Sequence, residues 1–437
     1  MNCIDLMSTA PMLKRVVLKD YRSIAYCDVQ LGRLTFLVGL NGAGKSNFID
    51  ALRFCRDALR NPLEQAFASR ASNLQTISHW DPSRQPGFGL RLELALPPLA
   101  ETHMDGHELT PAHYSFWIGS HSPRGFEVRD EECAVGNVDT DVICGRLLKQ
   151  AIEFSYFRVR SGVVSQILPG ASILELSQVA LNIGATGRLY LPTASGVHDF
   201  REVHAALIDM QFYSPDPEAM KVDLDTSGPA DILEPDGSNI ASVFQRITIE
   251  NPDAASRVVD YMRRIVPGLR NITAEAFRTY KLLNFELEFP ESGSHTLLAS
   301  SMSDGTLRAF AVLVALFQRS EDGSRPTVIA IEEPETGLHP AAAGILFDAL
   351  QEGSGLGQVI VSSHSPDLLD SADIPTESIL AVDASSGTTE IAPLDEAGRS
   401  SLHDRLYTAG ELLRMDQLKP RRAIRAEGTV AELFTID

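Results

Sequence analysis
The run Gly39-Leu40-Asn41-Gly42-Ala43-Gly44-Lys45-Ser46 constrains this chain more than any other feature. It fits GxxxxGK[ST], in which glycines let backbone N–H groups turn inward around a triphosphate and the next helix N-terminus adds partial positive charge. The context agrees. Residues 34–38 are apolar and read as a strand, and Phe48, Leu52 and Cys55 or Leu59 give residues 45–60 the apolar face of a helix. Lys45 would reach the β- and γ-phosphates and Ser46 would ligate Mg2+. The bland alternative, a glycine-rich turn, explains neither flank.

Three further segments carry chemistry. Thr327-Val328-Ile329-Ala330-Ile331-Glu332-Glu333 reads as an apolar strand ending in two carboxylates, the Walker B pattern. The first acid would hold Mg2+ directly or through water, and the second would orient or activate the attacking water. Solvated acids at a strand end are the plain alternative. Val359-Ile360-Val361-Ser362-Ser363-His364 delivers a histidine at the C-terminal end of a strand, where ligands bind in open α/β sheets. His364 could meet the γ-phosphate or the attacking water, or simply cap and pack. Ser303-Asp304-Gly305-Thr306 precedes an apolar helix. Ser303 is a good N-cap; the sharper reading is a second helix N-terminus aimed at phosphate from a partner subunit.

Around these motifs the chain reads as one split domain with an insert. Strands are expected at 16–19, 90–96, 114–118, 126–129 and 154–160, with 61–82 and 214–238 as loops. Ser238 is expected to cap a helix through Glu250, and Asn251-Pro252 to start another ending before Pro267. Residues 277–289 are β-like, and from Ser303 a compact α/β alternation implies a largely parallel core sheet.

Composition narrows function less. The net charge of −20 disfavours a protein that coats nucleic acid. Yet residues 1–60 hold nine Lys/Arg against five Asp/Glu, and residues 201–240 hold two against nine. Arg53, Arg56 and Arg60 share one helix face that could meet phosphates or be merely solvated. Five scattered cysteines with no CxxC pair fit a reduced, cytoplasmic setting. No apolar run suggests a membrane span, and the first residues do not read as a signal peptide.

Taken in order, Asp20-Tyr21-Arg22-Ser23, Gly39–Asn47, Ser303–Leu307, Ile331–Glu335 with Gly337-Leu338-His339-Pro340, and Ser362–Pro366 resemble the ABC-type ATPase clade. More specifically, they resemble bacterial AAA-domain ATPases allied to the RecF, OLD and SMC proteins. The likeness covers about residues 12–60 and 295–385.

The resemblance implies an α/β P-loop NTPase: an ABC-type head with a mainly parallel core sheet, antiparallel β segments and an inserted α/β lid. The core would span 12–99 and 295–395, the insert 100–294 and a helical tail 396–437. It implies ATP and Mg2+ as cofactors and an ATP-dependent homodimer that sandwiches nucleotide. Gly39, Asn41, Gly42, Ala43, Gly44, Lys45, Ser46, Asn47 and Arg22 would bind nucleotide, facing Ser303, Asp304, Gly305 and Thr306 of the other head. Ser46 and Glu332 would hold the metal, with Lys45, the base Glu333 and the switch histidine His364 catalytic. Gly337–Pro340 would cross the dimer interface, and Gln211 is one candidate for the glutamine loop.

Two departures from transporter heads, Glu332 for Asp and Ser-Asp-Gly-Thr for Ser-Gly-Gly-Gln, point to the RecF/OLD-like branch. With the long insert they argue against a transporter subunit. Prolines and glycines recur through 61–295 without heptads, so no SMC arm is expected. With 73 residues after His364, no nuclease domain of the OLD kind is expected within this sequence. Two functions stay open: an ATPase acting in DNA-related or phage-defence processes, or an ATP-dependent sensor or scaffold regulating a separate, neighbour-encoded effector.

Overall fold
The computed structural model describes residues 10–98, 109–122, 125–136, 155–168, 187–221, 231–277, 280–291, 293–320, 323–370 and 374–421. The chain begins β1 (Met12–Tyr21), β2 (Ile24–Gln30), β3 (Leu34–Val38), α1 (Lys45–Arg60) and β4 (Gly87–Leu96). Next come β5 (Thr110–Ser122), β6 (Gly125–Val135), β7 (Ser155–Arg160), β8 (Val163–Leu168), α2 (His198–Ile208) and β9 (Gln211–Tyr213). Helices α3 (Ile240–Glu250) and α4 (Pro252–Ile265) precede β10 (Leu269–Phe277), β11 (Tyr280–Phe289) and β12 (Gly293–Leu298). The last part runs α5 (Asp304–Phe317), β13 (Val328–Glu332), α6 (Pro340–Leu356), β14 (Gln358–Ser363), β15 (Ile379–Asp383), β16 (Glu390–Pro393) and α7 (Glu396–His403).

A six-stranded sheet has the order β16-β15-β3-β14-β13-β9. Its five strands from β15 to β9 are parallel, and only β16 is antiparallel. β14 is buried at every position, β13 at all but its last, as Val/Ile-rich strands covered on both faces require. Ala330 and Ile360 face one core with Phe48, Leu52 and Phe54 around α1. Ile329, Ile331, Val359 and Val361 face the other, against α4, α5 and α6.

The larger sheet is seven-stranded and antiparallel throughout, in the order β2-β1-β4-β5-β6-β7-β8. The antiparallel segments expected beside the parallel core sheet are thus one sheet, because pieces that looked separate in sequence pair along their length. β4 meets β5 from Gly87↔Gly119 to Leu96↔Thr110, so the division expected at 99/100 runs through one continuous sheet. β9, from the 100–294 segment, adds a strand to the parallel sheet beside β13.

Smaller differences are local. Residues 61–82 hold two short helices, Leu63–Ala68 and Leu74–Ile77. Asn239, not Ser238, precedes α3. The β-like stretch at 277–289 is the second strand of the β10–β11 hairpin. The stretch 214–238 contains the short helix Pro217–Met220, and residues 222–230 within it lie outside the described residues, as do 422–437 of the tail. No described helix is long and apolar enough to cross a membrane.

Candidate nucleotide site
Parallel register gathers the motifs. Val38, the last residue before the phosphate loop, pairs with Ser363, and Glu332 pairs with Ser362. Lys45, the two acids and His364 therefore belong to one C-terminal sheet edge, where open α/β sheets bind ligands.

The loop is shaped by what its glycines touch. A Cβ at Gly39 would lie 2.0 Å from the Val382 carbonyl oxygen, and one at Gly44 (φ 107°) 2.2 Å from Thr389 Oγ1. A polar brace supports the loop: Thr389 Oγ1 donates to the Ala43 carbonyl at 2.8 Å and lies 2.7 Å from Ser23 Oγ, which accepts from Asn47 Nδ2 at 2.6 Å. Helix α1 has no side-chain cap and no acid in its first turn, so its first N–H groups lack the usual partners. Lys45 is buried and donates to the Gly39 and Leu40 carbonyls at 2.8 and 3.0 Å. Burial lowers its pKa, and Glu333 and Glu335 pull it back up. Nothing lies within 4 Å of a Cβ at Gly42. An uncapped helix end, a buried ammonium and open space fit a polyphosphate, while Ser46 stays exposed.

Along the same edge, Glu333 has φ +46°, a left-handed conformation uncommon for non-glycine residues. Its N–H donates to the Ser362 carbonyl at 2.9 Å, and its Oε1 stands 3.2 Å from His364 Nδ1. Glu332 Oε1 accepts from Arg53 at 3.1 Å. Glu335, with no role of its own among the expectations, is buried; burial raises its pKa, and its Oε1 accepts from Ser363 Oγ at 2.6 Å. Glu335 Oε2, Thr336 Oγ1, Ser362 Oγ and His364 Nδ1 are buried without a hydrogen-bond partner. Four orphaned polar atoms around two acids and a histidine fit a site that holds ligand and water.

Three expectations change. Arg22 has φ +48°, and its guanidinium pairs with Asp50 at 2.9 Å, which also accepts from Tyr21 and Arg70. It is tied to α1 rather than free over the loop. Gln211 begins β9 opposite Ile329, at the end of the strand away from the acids; Tyr213, opposite Ile331, lies nearer the motif edge. The Arg53/Arg56/Arg60 face is engaged within the chain: Arg56 is buried and donates to Met210 O, half-buried Arg53 donates to Glu332, and Arg60 donates to Ile208 O while staying exposed. One face was read correctly, but its head groups are tied to β13 and to the segment joining α2 and β9.

Ser303 caps α5, its Oγ accepting from Thr306 N at 3.3 Å, and Asp304 pairs with Lys221 at 2.8 Å. A Cβ at Gly305 would lie 2.1 Å from the Gly337 carbonyl oxygen. Contacts of this segment thus run to Lys221 and to the turn after the acids, while His339 caps α6.

Fold and motif together are similar to those of AAA/ABC-type ATPase heads. More particularly, residues 34–92 and 217–370 match the family described as "AAA domain, putative AbiEii toxin, Type IV TA system". Among solved structures, an SMC head bound to the C-winged helix domain of ScpA is similar at TM-score 0.50 and 14% identity, over 89% of this chain and 99% of that one. An SMC head with an extended coiled coil bound to the C-terminal domain of ScpA, from Pyrococcus furiosus, aligns at TM-score 0.45 and 13% identity, over 91% and 99%. No curated protein matches the chain.

Proposed function
We propose that this protein binds and hydrolyses ATP, and that two copies sandwich the nucleotide head to tail. The observation that carries the reading is the register that sets Lys45, Glu332, Glu333 and His364 on one edge beside the uncapped start of α1. The first-turn amides and Lys45 bind the phosphates, Lys45 exchanging its loop carbonyls for phosphate oxygens. Ser46 and Glu332 would hold Mg2+, which when bound would supply positive charge to the triphosphate. Glu333 accepts the proton of the attacking water, and His364, 3.2 Å away, orients that carboxylate. Ser303–Thr306 of the second copy faces the γ-phosphate across the interface. The parallel sheet, with its helices and the β1–β4 sheet half, forms the core, and the segment from β5 to β12, apart from β9, forms the elaboration.

The head acts in DNA-related or phage-defence processes, or controls a separate effector as an ATP-dependent sensor. A specific observation favours the second: Asp216, Glu218, Asp231, Glu234 and Asp236 are all exposed, an acidic surface suited to a basic protein partner. The similar SMC head is itself bound to a protein, the C-winged helix domain of ScpA. Light scattering of the purified protein with and without ATP tests the sandwich. ATP should double the mass of wild type and leave Lys45→Ala unchanged. An ATP-saturated protein that stays monomeric would refute the sandwich. Salt-dependent DNA binding would favour the first role, and co-purification of a neighbour-encoded protein the second.

A further inference from the structure
Arg53 stands where the ATPase reading gives it no task. It lies eight residues beyond Lys45 on α1, and its Nη2 is 3.1 Å from Oε1 of Glu332. The guanidinium sits over the fully buried Phe212 ring at 5.5 Å, and Arg56 uses the same ring at 4.9 Å. Arg53 Nε is buried without a hydrogen-bond partner, so Glu332 and the ring hold the head group. The pair is only partly open to water, with the Glu332 side chain 18% exposed. A glutamate reaches one methylene farther than the aspartate of transporter heads, and that length is what meets Arg53.

We propose that Arg53 is a built-in counter-cation for Glu332: it occupies the carboxylate in the metal-free head and sets how tightly the site takes a divalent cation. The inference rests on the reading of Glu332 as the metal carboxylate. A fixed positive charge in contact with that oxygen competes with an incoming cation and repels it at short range. The contacts of Arg53 among the described residues run to Glu332 and Phe212, so metal-free nucleotide binding should not depend on its charge. It is a positioning residue, and its mark is on metal affinity.

The test is titration of Mn2+ into the full-length protein saturated with a non-hydrolysable ATP analogue, with free Mn2+ read by electron paramagnetic resonance. Arg53→Met should tighten Mn2+ binding about tenfold, the scale of one lost charge contact in a half-buried site. Arg53→Lys keeps the charge and should stay within about twofold of wild type. Affinity for the analogue without metal should not move. If Arg53→Met melts early, Arg53→Gln, neutral and still able to hydrogen-bond Glu332, reads the same shift. Mn2+ affinity that is unchanged or weaker in the neutral variants, or tightened equally by Arg53→Lys, overturns the proposal. Glu332→Gln separates the two claims. If it weakens Mn2+ binding while the Arg53 variants do nothing, only the Arg53 proposal fails. If it leaves Mn2+ affinity at wild type, the metal-site reading falls with it.

Discussion

Gly305 and Gly337 meet backbone to backbone: a Cβ added at Gly305 would lie 2.1 Å from the Gly337 carbonyl oxygen and 2.6 Å from its carbonyl carbon. Gly337 holds φ +80°, so neither partner tolerates a side chain easily. The start of α5 is thereby fixed to the turn that follows Glu332 and Glu333.

Gly305→Ala should therefore cost about 1–3 kcal/mol of stability and lower ATP turnover, because backbone cannot rotate away as a side chain can. Gly344→Ala, whose Cβ would meet nothing within 4 Å inside α6, should be neutral or slightly stabilising. Thermal melts of the two variants make the comparison, and equal melts would mean the close approach relaxes freely.

Thr389 lies far in sequence from the phosphate loop yet braces it through Ala43 and Ser23. Thr389→Val keeps the shape and removes the hydroxyl. It should cost roughly 1 kcal/mol through the lost bonds and weaken ATP binding several-fold. Calorimetric titration with ATP reads the second effect.

Arg56 is 8% exposed and bonded to Met210 O and Asp57. Arg56→Ala should destabilise the fold by about 2–4 kcal/mol, since its removal strips buried acceptors and the Phe212 stack. It should leave the salt slope of any DNA binding unchanged. A shallower slope in a folded variant would restore the arginine face as a phosphate contact.

Glu131 is buried in the antiparallel sheet, where it accepts from Tyr190 N, Leu191 N and Tyr114 Oη. Burial pushes its pKa up to about 7, against these three donors, which pull it down. A carboxyl whose folded pKa lies above its unfolded value binds its proton more tightly when folded. Its contribution is thus fully present below about 4.5 and is lost as pH rises toward 7. The difference in unfolding free energy between wild type and Glu131→Gln should shrink against the wild type by a few kcal/mol across that window. Urea melts at pH 5 and pH 7.5 check it, and a pH-independent difference would contradict the raised pKa.

What the sequence showed was what lies close along the chain. The helix expected over 45–60 has those bounds, and the four motif segments sit on the elements assigned to them, because strand–loop–helix spacing is local. The seven-stranded sheet was not legible, since β1 pairs with β4 some seventy residues on and no pattern within either strand names its partner. The arginine face shows the same limit: i, i+3, i+7 spacing defines a face but not what packs on it. Thr389 escaped notice, and Ser23 and Glu335 were seen only as members of motif segments, because single polar residues gain meaning only from neighbours brought by the fold.

The central claim is that Glu333, strained and beside His364, is the base that activates water for ATP hydrolysis. The direct measurement is phosphate release by Glu333→Gln under saturating ATP, paired with ATP binding by the same protein. The account predicts retained binding and turnover reduced by about a hundredfold or more. Turnover at the wild-type rate would contradict it.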